Sequence, residues 1–113
     1  MNIVFAVQKD QGWDSLVSSR FGRAEGFLCY NEEEDSFSYA SNADNATAGH
    51  GAGIQASQAV AGMNAEVAIT GGDYGPKAAD TLKSAGIKMI ANTGELSVKE
   101  VYDKFKNQSY KYL

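Results

Sequence analysis

Few side chains in this sequence could do chemistry, and their scarcity narrows the options. His50 is the single histidine and Cys29 the single cysteine. His50 stands between Gly49 and Gly51, where it is either a surface residue at a helix start or a ligand for a metal or bound anion, and a metal site built on it needs further protein donors. Cys29 lies in the apolar and aromatic run Phe27-Leu28-Cys29-Tyr30, where a thiol is expected to act as a small buried hydrophobe. One cysteine excludes a disulfide framework and any four-thiolate site built from one chain, and it fits a reducing cytoplasm. Nucleophilic catalysis has no support, because no second histidine is present to activate a serine or the thiol and no elbow motif surrounds either.

Two further chemistries fail on spacing. A nuclease working through paired cations needs several converging carboxylates. The centre of the first apolar run is Val4-Phe5-Ala6, the first long helix offers Gln55 and Gln58 where an acid is wanted, and only Asp73 lies near the right edge. Gly51-x-Gly53-x-x-Ala56 has the form of a dinucleotide fingerprint, but a polar stretch precedes it where the motif needs an apolar strand. No Gly-Lys-Ser/Thr phosphate loop is present. What remains is a set of glycine-rich turns with Lys9, Arg20 and Arg23 among them.

The elements that must position these turns are legible from periodicity. Ile3–Val7, 27–30 and 37–40 read as strands, the last two joined by the charged stretch 31–35, which suits a solvated hairpin loop. Ala52, Ala56, Ala59, Val60 and Met63 recur at helical spacing. Val67-Ala68-Ile69 reads as a buried strand. Pro76 opens a helix whose inner face is Ala78, Ala79, Leu82 and Ala85, with Gly86 as its left-handed cap. Residues 87–90 form another strand. Ser97 and Glu100 make a capping box for a last helix carrying Val98, Val101, Tyr102 and Phe105, and Leu96 can staple onto Val101. The tail 107–113 has no period and is expected to fray. Residues 9–25 give no clear period.

This order predicts a single α/β domain over 1–113, a ribonuclease H-like three-layer sandwich with a five-stranded mixed sheet in the order 3-2-1-4-5, strand 2 antiparallel to the rest. In such a sheet ligands favour the carboxyl ends of the parallel strands. The segment 9–25 and the three helix starts at 49–53, 70–76 and 92–95 all fall on that rim. Each helix start directs N–H groups and a partial positive charge outward, so an anion is favoured there, with Asp10, Asp14, Asp73 and Glu95 opposing it. The bland alternative is that these glycines only cap and turn.

Composition agrees with a small globular protein: 113 residues, 43% hydrophobic and 21% charged, with a formal charge of -4. An acidic balance disfavours a surface that grips nucleic acid as a whole, and no apolar run approaches the ~18 residues of a membrane span. A cytoplasmic protein with neither nucleic acid nor membrane as partner is the expectation.

Several spaced motifs together carry a resemblance. Phe21-Gly22-Arg23-Ala24 with Phe27, Gly49-His50-Gly51-Ala52-Gly53-Ile54-Gln55, Thr70-Gly71 with Gly75-Pro76 and Ala78, and Ala85-Gly86-Ile87 stand in the order seen in the dinitrogenase iron-molybdenum cofactor biosynthesis family. The chain resembles its small NifX, NifY and NifB carboxyl-terminal domains over about residues 1 to 106. The resemblance implies a non-catalytic carrier for an iron-molybdenum cofactor or its iron-sulfur cluster precursor, with metallocofactor assembly proteins as partners. It implies cofactor contacts at Arg20, Phe21, Gly22, Arg23, His50, Gly71 and Gly72, with His50 as the metal ligand. Family members often carry histidine where Arg20 stands here, and the turn from Thr70 to Gly75 is one residue longer than usual. A stand-alone domain that binds a small anion or a protein partner without metal is the other reading. A homodimer pairing two His50 or Cys29 side chains would raise the ligand number.

Overall fold

The computed structural model describes residues 1–46 and 51–113. Five strands form one sheet: β1 (Asn2–Val7), β2 (Gly26–Asn31), β3 (Ser36–Ser41), β4 (Val67–Ile69) and β5 (Lys88–Ile90), in the order β3-β2-β1-β4-β5. β2 runs antiparallel to both neighbours, while β4 lies parallel to β1 and β5 parallel to β4. The sheet order and the antiparallel second strand are those expected from the sequence. The helices are α1 (Ala43–Ala46), α2 (Ala52–Gly62), α3 (Pro76–Ser84) and α4 (Val98–Lys106). None is long and apolar enough to cross a membrane among the described residues.

β1 is apolar on both faces because both faces are covered. Val4 and Ala6 join Cys29, Ala68 and Met89 beneath α2 and α3, which contribute Ala56, Val60, Ala78 and Leu82. Ile3, Phe5 and Val7 join Leu28, Ile69 and Ile90 beneath α4, which contributes Val98 and Val101. These two cores make the three layers. The small side chains of α2 and α3 let the helices meet closely: a Cβ on Gly53 would lie 3.3 Å from the Ala78 Cβ. Ser57, fully buried, donates to the Gly53 carbonyl (2.8 Å) and also lies 3.2 Å from the Ala78 carbonyl.

The unperiodic segment 9–25 folds as two 3-10 turns, Gly12–Asp14 and Phe21–Arg23, on opposite faces of the sheet. Its residues lack a period because each turn inserts one aromatic anchor rather than a stripe. Trp13 packs against Tyr30, Phe37 and Tyr102, with ring centroids 4.7, 4.9 and 5.2 Å away. Phe21 packs against Phe27 and Tyr74 at 5.4 and 4.8 Å.

Local expectations need four corrections. Ala59 and Ala85 are exposed, and buried Ser57 takes the inward position in α2. The hairpin loop is not merely solvated: Glu32 accepts hydrogen bonds from Tyr102 (2.5 Å) and Lys106 (3.0 Å) and pairs with the Met1 ammonium (3.5 Å), latching the hairpin to α4. Ser97 caps α4 by accepting from the Glu100 N–H, but the Glu100 carboxylate returns to the Ser97 hydroxyl rather than to its backbone. The tail carries no helix or strand after Lys106, yet it is tied down. The Leu113 N–H donates to the Met89 carbonyl (2.9 Å) and the Lys88 ammonium sits 5.0 Å from the Tyr112 ring.

Candidate functional site

The rim loops converge at the carboxyl end of the sheet. β1 ends at Val7, and Ser18 returns to it by donating to the Ala6 carbonyl (2.7 Å). From there the chain runs beside the turn after β4, where Arg20 and Asp73 form an isolated parallel bridge. The Gly71 N–H donates to Ser18 (2.8 Å), the Thr70 hydroxyl donates to the same carbonyl (3.1 Å), and the Gly94 N–H donates to Gly71 (3.0 Å). The turn after β5 is thereby joined to the other two. On the far side, Asn42 donates to Gly22 (3.2 Å) and Ala24 (3.0 Å), and Asn45 donates to the Ala52 carbonyl (2.8 Å) at the start of α2. Two amide side chains therefore fasten the Phe21–Arg23 turn to a helix N-terminus.

The candidate residues named from the sequence occupy distinct roles in this arrangement. Gly22, Gly71 and Gly72 mark close backbone approaches: a Cβ on Gly22 would lie 3.0 Å from Gly53 N, one on Gly71 2.8 Å from Gly94 O, and one on Gly72 would overlap Ser19 O. The Gly71 N–H is already taken up by Ser18. Phe21 is 2% exposed and anchors the turn in the core. Arg20 is exposed, and half-buried Arg23 donates to the Ala46 carbonyl (2.9 Å) at the end of α1. His50 lies outside the described residues, one position before Gly51.

A groove of about 280 Å³ opens between the first turns of α2 and α3, lined by Gly51, Gly53, Ile54, Tyr74, Gly75 and Lys77 among others. Gly51 and Gly75 are the N-caps of the two helices, at φ +76° and +80°, and neither provides a side-chain cap. The N–H groups of Ala52, Gly53 and Ile54 in α2 and of Lys77 and Ala78 in α3 precede the first acceptor in their own helix. Pro76 occupies the position where a missing N–H costs nothing. Two positive helix ends are held side by side by the Gly53–Ala78 approach, a charge arrangement that an anion relieves. Exposed Lys77 adds a full positive charge.

Tyr74 forms the floor. It is 5% exposed, and its hydroxyl lies 2.7 Å from the Ala68 carbonyl and 2.8 Å from the Ile90 carbonyl, bridging the ends of β4 and β5. Burial pushes this phenol far above its ordinary range, so it is a fixed donor rather than an acid. Gly51, Tyr74 and Gly75 lie in the rim segments expected from the sequence, but only the turn geometry separates glycines facing open space from those packed against backbone. Lys77, one residue beyond those segments, is placed at the groove by the structure alone.

Metal donors are sparse. Among the described residues no group of three or more His, Cys, Asp and Glu side chains could hold a metal ion. Cys29 sits within β2 beneath α2, away from the rim. Burial pushes its thiol up, outweighing a hydrogen bond with Ser38. The groove itself offers main-chain N–H groups from two helix starts and the Lys77 ammonium.

Comparisons with known proteins agree with this architecture. No curated protein matches the chain. The apo form of the orange protein from Desulfovibrio gigas superposes with a TM-score of 0.92 at 35% identity, covering 99% of this chain and 92% of that one. The NMR structure of a Thermotoga protein named after NifB and placed in the DUF35 family gives 0.81 at 30% identity, again over 99% and 92%. A family model described as dinitrogenase iron-molybdenum cofactor matches residues 1–108. The chain belongs to the dinitrogenase iron-molybdenum cofactor family.

Proposed function

We propose that this protein is a non-catalytic carrier that holds an anionic metal–sulfur cargo, an iron-molybdenum cofactor or an iron-sulfur cluster precursor, and passes it between metallocofactor assembly proteins. The observation that carries the reading is the pair of uncapped helix starts, α2 and α3, held side by side over one groove. Their N–H groups, with Lys77 in the lining, favour a negatively charged cargo without strong covalent ligation, as suits a protein that must release what it carries. Arg20 and Arg23 stand on the adjoining turn rather than in the lining. Gly22, Gly71, Gly72 and Phe21 hold the surrounding turns in place. His50, directly before the α2 cap in sequence, supplies the imidazole ligand.

Anaerobic incubation with isolated iron-molybdenum cofactor or a cluster donor, followed by gel filtration and metal analysis, tests the proposal. Metal is expected to co-elute with the protein and to be retained less well by His50→Ala. Undiminished retention in that variant removes the ligand role of His50. The lack of a donor cluster among the described residues favours a second reading, in which the same groove binds a small oxyanion or a partner's carboxylate without metal. In that case a simple anion protects the fold against heat while no metal co-elutes.

A further inference from the structure

The two edges of the sheet are treated differently. At β5 the neighbouring bonds from Lys88 to Glu66 and from Thr70 to Ile90 direct the Met89 backbone groups away from the sheet, and the tail meets them there through the Leu113 N–H. Lys88 also stands in that edge strand. β3 has no such cover among the described residues. The Asn42 N–H donates to Glu25 (2.9 Å), which sets the phase of the β2–β3 ladder and turns the N–H and C=O groups of Phe37, Tyr39 and Ser41 outward. The strand reads Ser-Phe-Ser-Tyr-Ala-Ser, without charge or proline, the devices that normally blunt an edge. Tyr39 leans inward over Gly26, where its ring fills the space a side chain would need, and so leaves the edge itself bare.

We propose that β3 is a self-association edge on which a second copy of this chain adds antiparallel, making a continuous ten-stranded sheet. The outward groups are self-complementary about a two-fold axis. With Tyr39 opposite the partner's Tyr39, Phe37 falls opposite the partner's Ser41, and every outward N–H meets a carbonyl. Ser38 then faces the partner's Ala40, so no like charges oppose each other within the strand. The carboxyl ends of the two β3 strands point in opposite directions, which places the two grooves at opposite ends of the dimer. A single strand seam is small beside the ~1,200 Å² of a stable interface, so the dimer belongs to the weak, concentration-dependent class.

Sedimentation equilibrium of the intact chain over the widest soluble concentration range tests this. The weight-average mass is expected to climb from 12.1 kDa toward twice that value. Ser38→Lys, which sets a charge at the middle of the seam, and Ser41→Pro, which removes one outward N–H and no ladder bond, should both hold the mass at the monomer value, with far-UV circular dichroism unchanged for at least one. A nitroxide at Ser36→Cys should report a label pair six residues apart in register, about 20 Å at 3.3 Å per residue. A chain that stays monomeric throughout, a dimer that persists in Ser38→Lys, or a label separation far from that value overturns the proposal. A dimer that persists in the variants places the contact on another face.

Discussion

Gly72 and the Ser19 carbonyl are in such close contact that no side chain fits between them. That contact joins the turn after β4 to the segment leaving β1, and the Arg20–Asp73 bridge continues it. Replacing Gly72 with alanine forces backbone against backbone, and a loss of about 1–3 kcal/mol in urea unfolding is expected. Gly62, in the last turn of α2 with open space around it, is the control. There alanine should be neutral or stabilise by up to about 0.5–1 kcal/mol.

Tyr74→Phe removes the hydroxyl that bridges β4 and β5 while keeping the ring against Phe21. The one hydroxyl hydrogen that the Ala68 and Ile90 carbonyls share is lost, while the Ile90 carbonyl keeps the Thr70 N–H, so a loss of about 1–2 kcal/mol is expected in equilibrium unfolding. Because the ring stays, the groove floor remains, and the far-UV spectrum should not change.

Glu32 gives the fold an acid-sensitive latch. Its partial burial works to raise the carboxyl pKa, but the Tyr102 hydroxyl, Lys106 and the Met1 ammonium together hold it below its ordinary value. A folded-state pKa below the unfolded one contributes stability that is present above the unfolded value and lost as pH falls through the folded value. Wild-type stability should therefore fall more steeply below about pH 4.5 than that of Glu32→Gln, which should be weaker at neutral pH by about 1 kcal/mol. Urea midpoints measured from pH 7 to pH 3 check this, and parallel curves for the two proteins would remove the latch.

The sheet order, the antiparallel second strand and most helix boundaries were legible because apolar runs, a proline at a helix start and a Ser–Glu cap each act locally. The path of residues 9–25 was not, since Trp13 and Phe21 are single anchors whose partners, Tyr102 and Tyr74, are far away in sequence. The convergence of the rim turns followed from topology. The roles of the glycines did not: Gly71 and Gly75 look alike in sequence, yet one faces the Gly94 carbonyl and the other faces open space. Glu32 looked like one acid in a solvated run, and its partners Tyr102 and Lys106 become neighbours only when α4 packs across the hairpin.

The most direct test of the carrier account is Lys77→Glu. Lys77 is the second residue of α3, where a carboxylate interacts favourably with the helix end, so the substitution should leave stability unchanged or raise it by a few tenths of a kcal/mol. An anionic cargo in the groove meets a reversed charge instead, and its retention on anaerobic gel filtration should fall by about ten-fold, or about 1.4 kcal/mol. Opposite movements of stability and metal retention are the predicted result; metal retention that is unchanged in Lys77→Glu, or absent from the wild type, contradicts the account.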